Sequence, residues 1–298
     1  MAVIFLFIDG VGLGEEAKTN PFVQSDFRGF PAMAGEQPFT RQAQEIGDSE
    51  HQFRQVDATL GVEGLPQSGT GQTTLFSGEN APKEIGRHFG PFAHSAIKHL
   101  LKEESLFIKA KQRGKSCQFV NAYPDIFFEK AEKRGRWSCT TLMTKSAGIA
   151  LNTVQDVREG RALTAEITQQ AWRERLDIEV PGITPEEGAD RLLDQASEYD
   201  LLLHEYYLTD KAGHSQQERE AAHYLNTYDR FLWHLIRNTD RNTTLVLSSD
   251  HGNVEDLSIR THTRNKVPLF AYGKGAPHFS EVDSIAGITP AILNCLGE

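Results

Sequence analysis

A chain of 298 residues with 39% hydrophobic and 24% charged residues has an ordinary globular composition. That excludes collagen-like, coiled-coil and disordered classes, and it suits one large domain or a core carrying an insertion. The formal net charge of −10 argues against a nucleic-acid partner, because contacts to backbone phosphates need a basic face.

The opening run, Ala2–Ile8, is continuously apolar, carries no basic residue and meets Asp9 too early for a signal segment. It predicts a buried parallel strand. The strand ends at Asp9-Gly10-Val11-Gly12-Leu13-Gly14, and in open α/β sheets ligands gather at that end. Residues 14–64 are polar and irregular, broken by Pro21 and Pro31, and predict loop with at most one short helix. From Gln67 to Gly78 small hydroxyl residues alternate with glycines, which predicts a turn opening onto a helix N-terminus, where free N–H groups and the helix dipole favour an anion.

The character changes over residues 92–199, which are read as a small cap inserted between two halves of a catalytic core, 1–91 and 200–298. Within it the pattern predicts helices over 93–101 and 106–112, a strand over 116–121, a basic stretch over 130–136 and a helix over 163–172. Another helix starts at Thr184-Pro185-Glu186-Glu187, a capping box with proline at the first helical position. The core resumes with a strand over 201–208 leading to Asp210, then a long helix over 216–237 with Tyr224, Tyr228, Leu232 and Leu235 on one face. A strand over 243–247 ends at Ser248-Ser249-Asp250-His251-Gly252, and a strand over 267–272 and a helix over 285–296 close the chain. The fold class expected is α/β, a doubly wound and mostly parallel sheet with helices on both faces. No run reaches the roughly 18 apolar residues of a membrane span. Cys117, Cys139 and Cys295 are far apart and without metal-type spacing, which predicts a cytoplasmic location without a disulfide framework.

Three of these strands lead to an aspartate: Asp9, Asp210 and Asp250. Taken singly, each reads as a turn former or helix N-cap. That reading leaves the histidines unexplained, for His214 follows Asp210 by four positions, His251 adjoins Asp250 and His262 comes soon after. Aspartates gathered at one end of a sheet, where burial is costly, suggest a shared cation, and mixed carboxylate and imidazole donors suit zinc or manganese.

The ordered set of Asp-Gly after the first strand, Ser68-Gly-Thr-Gly, Asp210-x-x-Gly-His214, Ser-Asp250-His251-Gly and His262-Thr resembles the metalloenzyme core of the alkaline phosphatase superfamily, and within it the phosphoglycerate mutase and phosphopentomutase branch. The resemblance covers about residues 1–90 and 200–298. It implies two divalent ions, Mn2+ or Zn2+, one held by Asp9, Asp250, His251 and the Ser68 oxygen, the other by Asp210, His214 and His262. It further implies phosphoryl transfer on a small-molecule phosphate ester through a phosphoserine at Ser68. Discharge by water makes a phosphatase, and discharge to a second hydroxyl of the substrate makes a mutase. Hydrolysis is the preferred expectation, since Gln72 stands where both mutases carry histidine and Lys266 where proline is usual. A catalytically silent metal-binding protein is the alternative from another class, with the intact ligand set against it.

Thr70, in the same turn, is the rival nucleophile; motif register favours Ser68. His204, inside an apolar strand, reads as a core histidine, and His88, His94 and His99 as surface or hinge residues. Glu255 and Asp256 read as solvated turn residues. Arg87, Lys145, Arg158 and Arg161 are the cations available to pair a substrate phosphate or carboxylate, against the commoner reading that scattered basic residues solvate helix faces.

Overall fold

The strand β1 (Ala2–Ile8) is buried along its whole length in a computed structural model that describes residues 1–297; residue 298, the end of the expected core range, lies outside them. Because side chains alternate across a strand, β1 feeds two cores. Val3, Phe5 and Phe7 pack on one side with Leu75, Phe76, Met143 and Ile292 from helices over that face. Ile4, Leu6 and Ile8 pack on the other with Leu192, Leu225, Phe231 and Leu235. Each fully buried phenylalanine stabilises by about 2 kcal/mol relative to an exposed one, so the apolar run is explained by burial on both faces.

Six further strands join it: β2 (Ile46–Gly47), β3 (His51–Val56), β4 (Cys117–Phe119), β5 (Leu201–Tyr206), β6 (Thr243–Ser248) and β7 (Val267–Tyr272). The sheet order is β2-β3-β7-β6-β1-β5-β4. β6, β1, β5 and β4 are mutually parallel, whereas the β6–β7, β7–β3 and β3–β2 pairs are antiparallel. The result is the expected mostly parallel α/β sheet covered on both faces. β1 lies between β5 and β6, in register Phe7↔Glu205 and Phe7↔Ser248, so the C-terminal ends of three strands open at one place.

The structure departs from the sequence reading at four places. β3 was not expected, because residues 14–64 read as loop. Only Gln52, Phe53 and Val56 of this near-edge strand are buried, so its half-polar sequence lacks the apolar run of a central strand. The helix expected over 163–172 is a helix only over Gln170–Arg175. Ile167 and Gln169 take φ of +70° and +59°, and Leu163 instead extends the sheet margin through backbone bonds with Val120 and Ala122. Residues 117–119, inside the segment read as a cap, supply β4, and Leu101, Leu106, Phe107 and Met143 from the same segment sit in the main core. A separate cap therefore cannot comprise all of 92–199. Finally, the 201–208 strand stops at Tyr206 and Asp210 lies in the first turn of the helix Leu208–Ser215.

His204 is a fully buried core residue, as expected, with Nε2 3.3 Å from the Thr164 carbonyl and Nδ1 unpartnered. Burial pushes its pKa down to about 4. A histidine depressed in the folded state binds its proton more readily when unfolded, so its contribution to stability is complete above the unfolded pKa of about 6.5 and lost as pH falls toward 4. We expect unfolding free energy to drop by up to about 3 kcal/mol across that window on account of this group, and His204→Leu to flatten the profile. Denaturant titrations at several pH values check this; an unchanged profile in the variant contradicts it.

Candidate metal centre

Asp9 leaves the end of β1, and Asp250 and His251 follow β6. Close approach between these segments depends on glycine. Gly10 has φ +67°, and a Cβ there would stand 2.7 Å from the Asp210 Cβ; at Gly71 a Cβ would meet the Asp250 carbonyl at 2.7 Å. Ser68 is the first residue of the buried helix Ser68–Ser77. Asp210 and His214 occupy the first and last turns of one helix four positions apart, a spacing that puts both on the same face.

All seven residues singled out in the sequence are brought together. His251 Nε2 lies 3.0 Å from Ser68 Oγ and 3.4 Å from both Asp9 Oδ1 and Asp250 Oδ2. Asp210 lies 3.4 Å from His214 Nε2 and 3.6 Å from His262 Nε2, and the two imidazole Nε2 atoms are 3.2 Å apart. The His251 and His262 rings stack at 3.8 Å. Two donor clusters result, Asp9–Asp250–His251 and Asp210–His251–His262, each with its donor atoms within 4.8 Å of one another.

The fit to cations can be judged from the polar atoms themselves. Asp9 Oδ1 and Asp250 Oδ2 are buried without a hydrogen-bond donor, a costly state unless a positive charge compensates it. Burial and the neighbouring carboxylates push Asp9 well above its ordinary pKa and Asp250 up to about 7. Asp210 is held below the carboxylate range: burial opposes ionisation, but the hydrogen bond with His214 and the charges of His251 and His214 outweigh it. On the other cluster, His262 Nδ1 is 2.7 Å from the Pro66 carbonyl and His214 Nδ1 is 2.8 Å from the Arg260 carbonyl. With each Nδ1–H given to a carbonyl, the neutral rings turn their Nε2 lone pairs toward one another and toward Asp210, so a cation there would take the place of the proton that His214 shares with Asp210. Two facing lone pairs beside a carboxylate are the donor arrangement a metal ion takes. The residues therefore fit two divalent cations.

Several supporting residues escaped the sequence reading. Glu255, expected to be solvated, is buried. Its carboxylate accepts from Gly12 N, Asn253 N, Thr263 Oγ1 and Asn265 Nδ2, tying together the loops after β1 and β6 and the turn beyond His262. Its partners lie in other segments, so the surrounding polar turn gives no sign of burial. Asn253 donates to Asp210 Oδ1 at 2.6 Å, and Gln72 donates to Asp9 Oδ2 at 3.1 Å. Glu205, buried on β5, accepts from Thr140 Oγ1 and is pushed up to about 7 by burial; a carboxylate inside an apolar strand was the available signal. We expect Glu255→Ala to cost about 3 kcal/mol, because four donors lose their acceptor, and to weaken metal retention tenfold or more. Denaturant midpoints and metal titration measure both, and unchanged values in each contradict the role.

Thr70 is fully buried, donates to the Gln67 carbonyl and accepts from Phe89 N. The centre opens into a cleft of about 790 Å³ bounded by Asp9, Ser68, Asp210 and His214 on one side and by Phe92, Tyr123, Phe127, Trp172, Leu176 and Tyr207 on the other. Arg87, Lys145, Arg158 and Arg161 do not line it; Arg175 and Lys211 do. Arg87 and Lys145 instead lie over the Phe89 and Trp137 rings, and Arg158 and Arg161 bind the Glu179 carbonyl and Asp156.

Residues 176–297 match the family model described as the Metalloenzyme superfamily, a stretch that contains Asp210, His214, Asp250, His251 and His262. A 2,3-bisphosphoglycerate-independent phosphoglycerate mutase of Desulforudis audaxviator is 29% identical over 125 residues, 39% of this chain and 25% of that protein. The enzyme of the same name from Pyrococcus furiosus is 23% identical over 218 residues, 66% of this chain and 50% of that protein. The chain thus spans half or less of the length of these relatives. Among solved structures, an alkaline phosphatase from the Antarctic bacterium TAB5 superposes with a TM-score of 0.57 at 13% identity, covering 99% of this chain and 97% of that one; at this identity the likeness is one of fold.

Proposed function

We propose that the chain is an alkaline phosphatase-like metalloenzyme that transfers the phosphoryl group of a small phosphate ester to Ser68 with the help of two divalent cations, and that water then releases phosphate; the match over residues 176–297 and the likeness of fold support this reading. The observation that carries this is Ser68 Oγ, 3.0 Å from His251 Nε2, the one residue common to both donor clusters. Asp9, Asp250, His251 and the Ser68 oxygen would hold one ion, and Asp210, His214 and His262 the other. When bound, such ions lower the pKa of a hydroxyl and neutralise charge on the phosphoryl oxygens.

The chain's own groups prepare the rest. Ser68 opens a helix, and with Thr70 N and Gly71 N already given to the Gln67 and Phe89 carbonyls, the first amides, of Ser68 and Gly69, are those that would meet a non-bridging oxygen. Gln72 fixes one Asp9 oxygen and Asn253 fixes Asp210, so both carboxylates are oriented before substrate arrives. Attack by the serine oxygen breaks the bond between phosphorus and the leaving alcohol, which departs into the cleft. Ser68 lines a cleft whose walls include the exposed Phe92, Leu176 and Tyr207, and an open cleft of this kind supports discharge by water over retention of a turning substrate.

A phosphomutase is the second reading, favoured by the names of the curated relatives. A screen of phosphate monoesters and diesters with manganese or zinc, read as free phosphate and as isomerised ester, separates them. Phosphate release supports the phosphatase; isomerisation without release replaces it by the mutase; two bound ions with neither product support the silent metal-binding protein.

A further inference from the structure

Among the described residues, the exposed large hydrophobic side chains are Leu65, Phe92, Ile126, Leu176, Tyr207 and Ile259. Three of the six meet at one place. Phe92, Leu176 and Tyr207 line the cleft. Exposed apolar surface concentrated at one mouth marks a binding surface.

A second cavity, of about 590 Å³, borders the cleft, with Phe92, Phe127 and Ser138 lining both. Its remaining lining is Lys130, Ala131, Arg134 and Arg136, with no carboxylate. In a chain of net charge −10 this is a local inversion of sign. Among the described residues none of these three cations is in a salt bridge, so each is available to a ligand. The basic stretch noted in the sequence thus forms a shelf of charge on the far side of the Phe92 and Phe127 wall of the cleft.

We propose that the substrate's leaving group is a planar apolar body ending in a second anionic group, carboxylate or phosphate: the ring lies against Phe92, Phe127 and Tyr207, and the distal anion is read by Lys130, Arg134 and Arg136. This rests on the phosphoryl-transfer reading of the site. A small polyol phosphate would leave the aromatic walls and the shelf without partners, whereas guanidinium groups pair carboxylate or phosphate bidentately.

The test compares three phosphate monoesters with the metal-loaded protein: 4′-carboxybiphenyl-4-yl phosphate, biphenyl-4-yl phosphate and glycerol 1-phosphate. We expect kcat/KM to fall in that order, with about tenfold between the first two, as for a hydrogen-bonded charged contact. In the Arg134→Gln, Arg136→Gln double variant the ratio between the two biphenyl esters falls to near one, while the double lysine variant retains part of it. Glycerol phosphate turned over as well as the biphenyl esters, or a ratio unmoved by the double glutamine variant, overturns the inference and leaves phosphoryl transfer standing. Failure of every ester to react overturns the proposed function instead. Calorimetric binding of the two biphenyl phosphonates then decides the inference: a preference for the carboxylated one, lost in the double glutamine variant, upholds it, and equal affinities refute it.

Discussion

Ser68→Ala is expected to reduce turnover of any phosphate ester by about three orders of magnitude or more, because it removes the atom to which phosphorus is transferred. Metal binding should survive, since Asp9, Asp250 and His251 remain as one donor cluster and Asp210, His214 and His262 around the other. The matched control is Thr70→Val. Thr70 is the other hydroxyl of the turn, but it is committed to Gln67 and Phe89 and fully buried. Its loss should cost about 1–3 kcal/mol of stability by leaving the Phe89 amide unpaired, with turnover kept within about tenfold of the parent, the range of modest positioning effects. Steady-state kinetics and denaturant titration on both variants separate chemistry from folding. Ser68→Ala retaining near-parental turnover while Thr70→Val loses it would reverse the assignment.

Removing metal is expected to have the second large effect. Asp9, Asp210 and Asp250 lie close enough that Asp250 and Asp210 both raise the pKa of Asp9, and Asp210 that of Asp250. Stripped of cations, the cluster must take up protons or repel itself. Exhaustive chelation should therefore abolish turnover, and it should lower the melting temperature, since ions held a thousandfold above their Kd stabilise by about 4 kcal/mol. Adding back manganese or zinc should restore both. Full activity in protein shown by elemental analysis to be metal-free would contradict the two-ion account.

The legible part of the molecule is the part whose function forces a residue type at the end of an apolar run. β1, β5 and β6 are buried on both faces, so each reads as a continuous hydrophobic segment, and a parallel sheet makes their ends converge. The site aspartates follow directly or within one helical turn. Less legible were features decided by partners far away in sequence. β3 is half-polar because it sits near the sheet edge. Glu255 sits in a polar turn and is buried only because Gly12, Thr263 and Asn265 close around it. The run from Leu163 to Trp172 has apolar spacing that suits a helix, but Leu163 is taken up by the sheet margin beside Val120. The cleft walls include Phe92, Tyr123 and Trp172, residues outside the stretch that matches the family model, whose meeting is a product of tertiary packing.

Covalent trapping shows whether Ser68 itself carries the phosphoryl group during turnover. Metal-loaded protein is mixed with a reactive phosphate monoester, quenched in acid within the first turnovers, digested, and the phosphate located by mass spectrometry. Phosphate is expected on the peptide containing Ser68, on the Ser68 oxygen, and none in Ser68→Ala. Phosphate on Thr70, or turnover with no phosphorylated peptide at any time point, would contradict that role of Ser68.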